Sequence, residues 1–484
     1  MKCVIGIDQS TQGTKALLID ENARIIAKAY MAHRQIITPE GYICHDPEEI
    51  YENVKSVVKD VIRQVTDAEV TAIGISNQRE TTVAWDAFSK KPIMDAVVWQ
   101  CTRAKDVCKQ ISDSNGEYIR RVTGIPLSPY FPAAKMKWIL ENSSQTSDLS
   151  KDGRLKFGTV DSWLIYKMTG EHLTDTSNAS RTQLMNLETL DWDEKALEIF
   201  GVERASLAKI CPSDGDFGET DLGGIFEHKV PIYAVMGDSH AALFAQRCHS
   251  AGELKVTYGT GSSVMMNTGD DIISSNHGLA SSVAFSFMGK TSYALEGNVN
   301  YSGAVISWLK SDLELIKSAD ETEALALMAN KQDKTYLVPA FSGLGAPYWK
   351  NDARAVIVGM TRLTGKAELV RAALDSIALQ INDVLVAMSE DSGTKIMTIA
   401  TDGGPTKNKY LMQFQSDIAM AEIRVSKTEE LSGMGAGLMA GIKSGVFDAK
   451  IAFKGIEYSR YAPKMSATRR NEIIAGWKEA VEKV

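Results

Sequence analysis

The first twenty residues alternate between apolar runs and a polar turn. Cys3-Val4-Ile5-Gly6-Ile7 leads into Asp8-Gln9-Ser10-Thr11-Gln12-Gly13-Thr14-Lys15, and Ala16-Leu17-Leu18-Ile19 then runs to Asp20. This pattern predicts a β-hairpin with a hydroxyl-rich tip. From Pro47 the period changes: Ile50, Val54, Val57, Val58, Val61, Ile62 and Val65 recur at three- and four-residue spacing, which predicts an amphipathic helix. Ala72-Ile73-Gly74-Ile75 then predicts a buried strand. Near residue 250 the opening pattern returns, as Leu254-Lys255-Val256-Thr257-Tyr258, the turn Gly259-Thr260-Gly261-Ser262-Ser263, and Val264-Met265-Met266. Two such units half a chain apart predict a duplicated domain, with halves 1–246 and 247–484. A third loop, Asp402-Gly403-Gly404-Pro405-Thr406, follows the apolar stretch Ile396–Ala400 and precedes a helix expected from about Asn408. The order of elements is mixed α/β.

At 484 residues the chain exceeds what one core usually supports, in keeping with two lobes around a site. A net charge of -8 without a basic stripe argues against nucleic-acid binding. No apolar stretch is long enough to span a bilayer, and the first residues lack a signal-peptide pattern. The six cysteines form no CxxC pair or disulfide framework, so they read as reduced thiols of a cytoplasmic protein.

The two hairpin tips carry the chemistry. Glycine and small hydroxyl residues let main-chain N–H groups converge on an anion, and Thr and Lys side chains add donors. Either tip alone reads more simply as a turn; two tips and a Gly-Gly loop point to phosphate. There is no GxxxxGK[ST] motif. Gly435-Ala436-Gly437-Leu438-Met439-Ala440 fits a loose dinucleotide pattern but reads better as a tightly packed helix. Asp8 ends the first strand, where a carboxylate could hold Mg²⁺ beside phosphates. Asp238 ends the run Ile232–Gly237, placed to hold the ion too or to take a proton from an attacking hydroxyl; the simpler reading of each is a helix cap. His240 beside Ser239 suggests a Ser-His-Asp set, but adjacent residues at a helix start diverge. Arg79-Glu80, after a short strand, could bracket a diol, with Trp99, Trp85 and Tyr130 as apolar walls or simply as core.

Together these segments resemble the FGGY family of carbohydrate kinases. Tyr130-Phe131-Pro132-Ala133-Ala134-Lys135-Met136-Lys137-Trp138-Ile139 is similar to one family signature, and Ala355 to Met360 with Glu368-Leu369 and Ala372–Asp375 to the other. The resemblance spans nearly the whole chain. It implies a duplicated actin-like, ribonuclease-H-like ATPase fold, two domains flanking a catalytic cleft, and ATP-dependent phosphorylation of a primary hydroxyl of a small polyol or sugar. By the same resemblance Thr11, Lys15, Gly259 and Thr260 face the phosphates, and Gly303, Gly404 and Asn408 line the adenosine pocket. Arg79, Glu80, Tyr130 and Asp238 hold the acceptor, with Asp238 as base. Homodimers and homotetramers are common in such families.

Two positions depart from the glycerol-phosphorylating members, which carry Gln after the base and an aromatic in the second tip. Here stand Ser239 and Ser263. Both changes shrink side chains at the acceptor, which favours a tetritol, pentitol or ketopentose. Ser10 replaces a usual Gly, and Gly223–His228 lacks the Arg of a loop that binds a regulatory sugar bisphosphate. The same fold also admits two rivals, an actin-like ATPase without sugar phosphorylation and a sugar sensor without catalysis.

Overall fold

The computed structural model describes residues 1–350, 352–450 and 452–484. The first lobe opens with β1 (Lys2–Gln9), β2 (Gly13–Asp20) and β3 (Ile25–Ala32), an antiparallel meander whose first turn is the predicted tip. Helix α1 (Pro47–Gln64) follows, with Asp46 capping it through the backbone N–H of Glu48 and Pro47 in its first turn. Its apolar stripe Ile50, Val54, Val57, Val58 and Val61 packs on β1 and β2. β4 (Glu69–Asn77) lies parallel to β1, helix α2 (Pro132–Asn142) carries the residues after Tyr130, and β5 (Val230–Gly237) lies parallel to β4. A short strand, Glu219–Thr220, borders β5, and the sheet order continues β5, β4, β1, β2, β3. Helix α3 (Asp238–Ala245) leaves directly from β5.

The second lobe repeats this plan. β6 (Leu254–Tyr258), β7 (Ser262–Gly269), β8 (Ala280–Phe287) and β9 (Lys290–Val299) form antiparallel pairs. After the long helix α4 (Lys366–Ser392), β10 (Thr398–Asp402) lies parallel to β6. Helix α5 (Lys409–Ala419) then leads to β11 (Glu422–Ser426), parallel to β10. The sheet order is β8, β9, β7, β6, β10, β11, with Tyr458–Tyr461 at the edge. The run β9-β7-β6-β10-β11 matches β3-β2-β1-β4-β5 strand for strand, so the duplication expected from the tips is a duplication of whole sheets.

Helix α6 (Leu431–Lys443) lies far along the chain, yet it packs on β1, β4 and β5 of the first lobe and against α3. Side-chain volume would prevent this approach. A Cβ on Gly6 would enter the carbonyl of Gly433, one on Gly74 the carbonyl of Ala436, and one on Gly435 the carbonyl of Ala241. The glycine-rich stretch is therefore a packing surface, as the sequence favoured. Val4, Leu17, Met236, Phe244, Met265, Phe285, Leu438 and Met439 form one core layer between the two sheets. Among the described residues no helix is long and apolar enough to cross a membrane.

Candidate active site

Three parallel strands of the first lobe end side by side. Gln9 pairs with Asn77, and Asn77 with Gly237, so Asp8, the Asn77–Glu80 segment and Asp238 emerge along one edge. Ligands of open parallel sheets bind beyond this carboxyl edge. On the first tip, Ser10 N–H bonds Gly13 carbonyl at 2.8 Å, and Thr11 Oγ1 accepts from the indole of Trp99 at 2.9 Å. Lys15 stands opposite Asp8 in the hairpin, and its ammonium meets Glu430, just before α6, at 2.7 Å.

Asp8 accepts from Ser76 Oγ at 2.9 Å. Its burial, and then the charge of Asp238, push its pKa up to about 6. Two carboxylates that repel one another at a cleft edge suit a divalent cation. Among the described residues no group of three or more His, Cys, Asp or Glu forms a ready metal cage. Asp8 and Asp238 could offer carboxylate oxygens to an ion such as Mg²⁺, which keeps most of its waters and takes phosphate oxygens.

Beside Asp238 lies a buried ionic cluster that draws on both lobes. Arg79 donates through both terminal nitrogens to Glu296 of β9, at 2.7 and 2.8 Å. Its Nε stands 3.4 Å from Asp238 Oδ1 and 3.8 Å from Glu80 Oε1. Arg181 completes the ring, 2.7 Å from Glu80 Oε1 and 3.2 Å from Glu296 Oε2. Burial alone would raise the pKa of Glu296, but Arg181 and Arg79 outweigh it and hold the carboxyl well below its usual range. Arg79 is in turn held fully charged, because Glu296 and Glu80 overcome its desolvation. Asp238 alone of these carboxylates reaches solvent, with 36% of its side chain exposed. Tyr130 packs edge-on to Trp99, with ring centres 5.5 Å apart, and burial drives its hydroxyl pKa far up, so it stays a neutral donor.

Register places the facing wall. Cross-strand partners share a face, and Met265 packs in the layer between the sheets. Its row includes Lys255 and Glu296; the next row toward the cleft is Asp402, Thr257, Ser263 and Asn298. Ser263 thus lies on the face that carries Glu296, and among the described residues its buried Oγ has no hydrogen-bond partner. Lys255 is buried and donates to Thr257 Oγ1 at 2.7 Å. Desolvation lowers its pKa, an effect opposed by Asp402, Asp238 and Glu296. At the second tip, Gly303 N–H bonds Gly259 carbonyl at 2.8 Å and Ala304 N–H bonds Thr260 carbonyl at 3.0 Å. Gly404 faces open space, with nothing within 4 Å of where a Cβ would stand.

Asn408 caps α5 through the N–H of Leu411 and donates to Thr322 Oγ1 at 2.9 Å, so its amide is engaged in holding the fold. Of the two readings of Trp85, core is the one observed: it lies wholly inside the first lobe, against Trp163, Tyr166 and His172. His240 is fully buried, desolvation holds its pKa well below the usual value, and its Nε2 faces Ser282 Oγ rather than Ser239. The structure also brings in Glu296, Arg181, Lys255 and Lys135, which sequence reasoning did not select. A Glu inside the apolar strand Tyr293–Glu296 was the available signal for the first, since a carboxylate is buried there only with a partner.

The family model for the N-terminal domain of FGGY carbohydrate kinases matches residues 3–245, and that for the C-terminal domain matches residues 254–444. A glycerol kinase of Fusobacterium nucleatum subsp. nucleatum is 41% identical, over 100% of this chain and 99% of its own. Glycerol kinase 1 of Thermotoga maritima is 44% identical, over 99% of each. The crystal structure of Plasmodium falciparum glycerol kinase with ADP, 34% identical, covers 100% of this chain and 98% of its own at a TM-score of 0.96. A ligand-bound xylulose kinase from Lactobacillus acidophilus, 22% identical, shares the fold at a TM-score of 0.90, covering 100% and 97%. The repeated sheets are thus those of the actin-like ATPase fold, and the chemistry is ATP-dependent phosphorylation of a polyol hydroxyl. With full-length likeness on both counts, the chain belongs to the FGGY family of carbohydrate kinases.

Proposed function

We propose that this kinase passes the γ-phosphoryl group of ATP to a terminal hydroxyl of a small linear polyol, with Asp238 as the base. The observation that carries this reading is Asp238 itself: a part-exposed carboxylate at the carboxyl edge of the first sheet, 3.4 Å from the Arg79 guanidinium. Thr11 and Lys15 address the phosphates from one lobe, and Gly259 and Thr260 from the other. Gly303 backs the second tip, and Gly404, with Asn408 holding its loop, leaves room for the nucleoside. Arg79 and Glu80 meet the acceptor hydroxyls, while Tyr130 and Trp99 cover its C–H edge. Asp238 accepts the hydroxyl proton as the oxygen turns toward phosphorus. Mg²⁺, held by Asp8 and Asp238, would supply charge neutralisation at the transferring group.

A second, narrower reading is that a four- or five-carbon polyol or ketose is preferred over glycerol. The short side chains of Ser239 and Ser263 fill less of the acceptor side than a Gln and an aromatic would, which favours a longer acceptor than a three-carbon one. Coupled ADP release tests both readings across glycerol, erythritol, ribulose and xylulose. Acceptor-independent ADP release would overturn the kinase reading. A glycerol kcat/KM far above the others would overturn the narrower one.

A further inference from the structure

Lys135 on α2 is entirely buried, yet it meets no carboxylate. Its Nζ donates instead to two backbone carbonyls, that of Glu80 at 2.9 Å and that of Tyr130 at 2.6 Å. These are two acceptor residues from segments fifty positions apart. The backbone at Glu80 is unusual in its own right. Its φ is +59°, a conformation that non-glycine residues seldom adopt, and Thr81 N–H reaches back to Arg79 carbonyl at 2.7 Å. The three residues thus make a tight, strained turn, of the kind that persists only where its surroundings enforce it. The turn sets the directions of Arg79 and Glu80. It lets Arg79 face Glu296 and Asp238 while Glu80 faces Arg181.

We infer that Lys135 is a positioning residue for acceptor binding: by tying the Glu80 turn to the Tyr130 segment, it fixes the two sides of the polyol site at one spacing. A buried amine has reason to be there only if its donors are used, and among the described residues its acceptors are these two carbonyls. Burial lowers its pKa to about 7, so the neutral amine is well populated near neutral pH. Two N–H donors suffice, and a neutral amine keeps both. An apolar side chain of similar length would fill the space, deprive the Tyr130 carbonyl of this donor and leave the Glu80 carbonyl with the long bond from Thr82 Oγ1 at 3.4 Å.

The inference rests on the acceptor reading of Glu80 and Tyr130, and the experiment separates the two. Lys135→Met and Lys135→Gln are compared with Glu80→Gln and Tyr130→Phe, for polyol kcat and KM, ADP affinity and thermal unfolding. Lys135→Met should lower polyol kcat/KM at least 100-fold, mainly through KM, with ADP affinity within about 2-fold and unfolding still cooperative. Lys135→Gln, which keeps a donor, should lose less. Polyol kcat/KM within 3-fold of the parent, or a parallel fall in ADP affinity, would overturn the inference. If Lys135→Met fails to fold, Lys135→Gln carries the test by the same two criteria. Unchanged polyol KM in both Glu80→Gln and Tyr130→Phe would instead remove the acceptor reading.

Discussion

Replacing Glu296 by Gln tests whether the interlobe ionic cluster organises the acceptor side. The carboxylate accepts from both terminal nitrogens of Arg79 and stands 3.2 Å from Arg181. An amide of the same shape keeps one of the Arg79 bonds and turns its own NH₂ toward the other. One charge-assisted hydrogen bond is lost, about 1.5–3 kcal/mol, and a donor is set against a donor. Removing one member of a buried ion pair costs about 3–5 kcal/mol in total, so the loss of stability belongs at that level. Freed Arg79 then has Asp238 and Glu80 within 3.4 and 3.8 Å as its remaining partners. Tighter pairing with Asp238 makes that carboxylate a poorer base. If about half of the energy appears in the transition state, kcat/KM for the polyol falls about 10- to 70-fold, at 1.36 kcal/mol per tenfold. The assay is coupled ADP release under saturating ATP, alongside urea unfolding. A variant with parental kcat/KM and an unshifted unfolding midpoint would refute the reasoning. The pH dependence follows from the same group: its folded pKa lies below the unfolded one, so its stabilisation is present above the ordinary Glu range and is lost on acidification.

Asp238→Asn should lower kcat by several orders of magnitude with ATP binding little changed, measured by single-turnover kinetics and nucleotide titration. Asp8→Asn should stabilise the ligand-free protein at pH 7.5 while abolishing turnover. The folded pKa of Asp8 is raised from 3.8 to about 6, so its cost is absent below the unfolded pKa and complete above the folded one; removing it gains at most about 3 kcal/mol, read by thermal unfolding at pH 7.5 and 4. Gly74→Ala places a methyl in the carbonyl of Ala436 and should destabilise by about 3 kcal/mol, the upper end for overpacking, checked by the urea midpoint.

Much of the fold was readable because it is local. The hairpin tips, α1 and the strand at Ala72–Ile75 are announced by apolar period and turn chemistry within a few residues. The duplication was readable because the same short pattern occurs twice. Asp8 and Asp238 stood out as candidates because each ends an apolar run, where a polar residue is conspicuous. Glu296 escaped because its partner Arg79 is 217 positions away and nothing near it in sequence reports the pairing. Lys135 escaped because it sits on an amphipathic helix, where a lysine ordinarily marks the wet side. Trp85 stayed open because a tryptophan in a strand reads alike whether it walls a pocket or fills a core.

The seating of α6 on the first sheet has a temporal consequence for a growing chain. When Ala245 leaves the ribosome, the glycine floor formed by Gly6 and Gly74 has no cover. At roughly 5–20 residues per second the covering helix, about 190 residues later, arrives on the order of 10–40 s afterwards. Throughout that interval the nascent half leaves a bare apolar sheet face open to solvent until its own distant sequence arrives to close it.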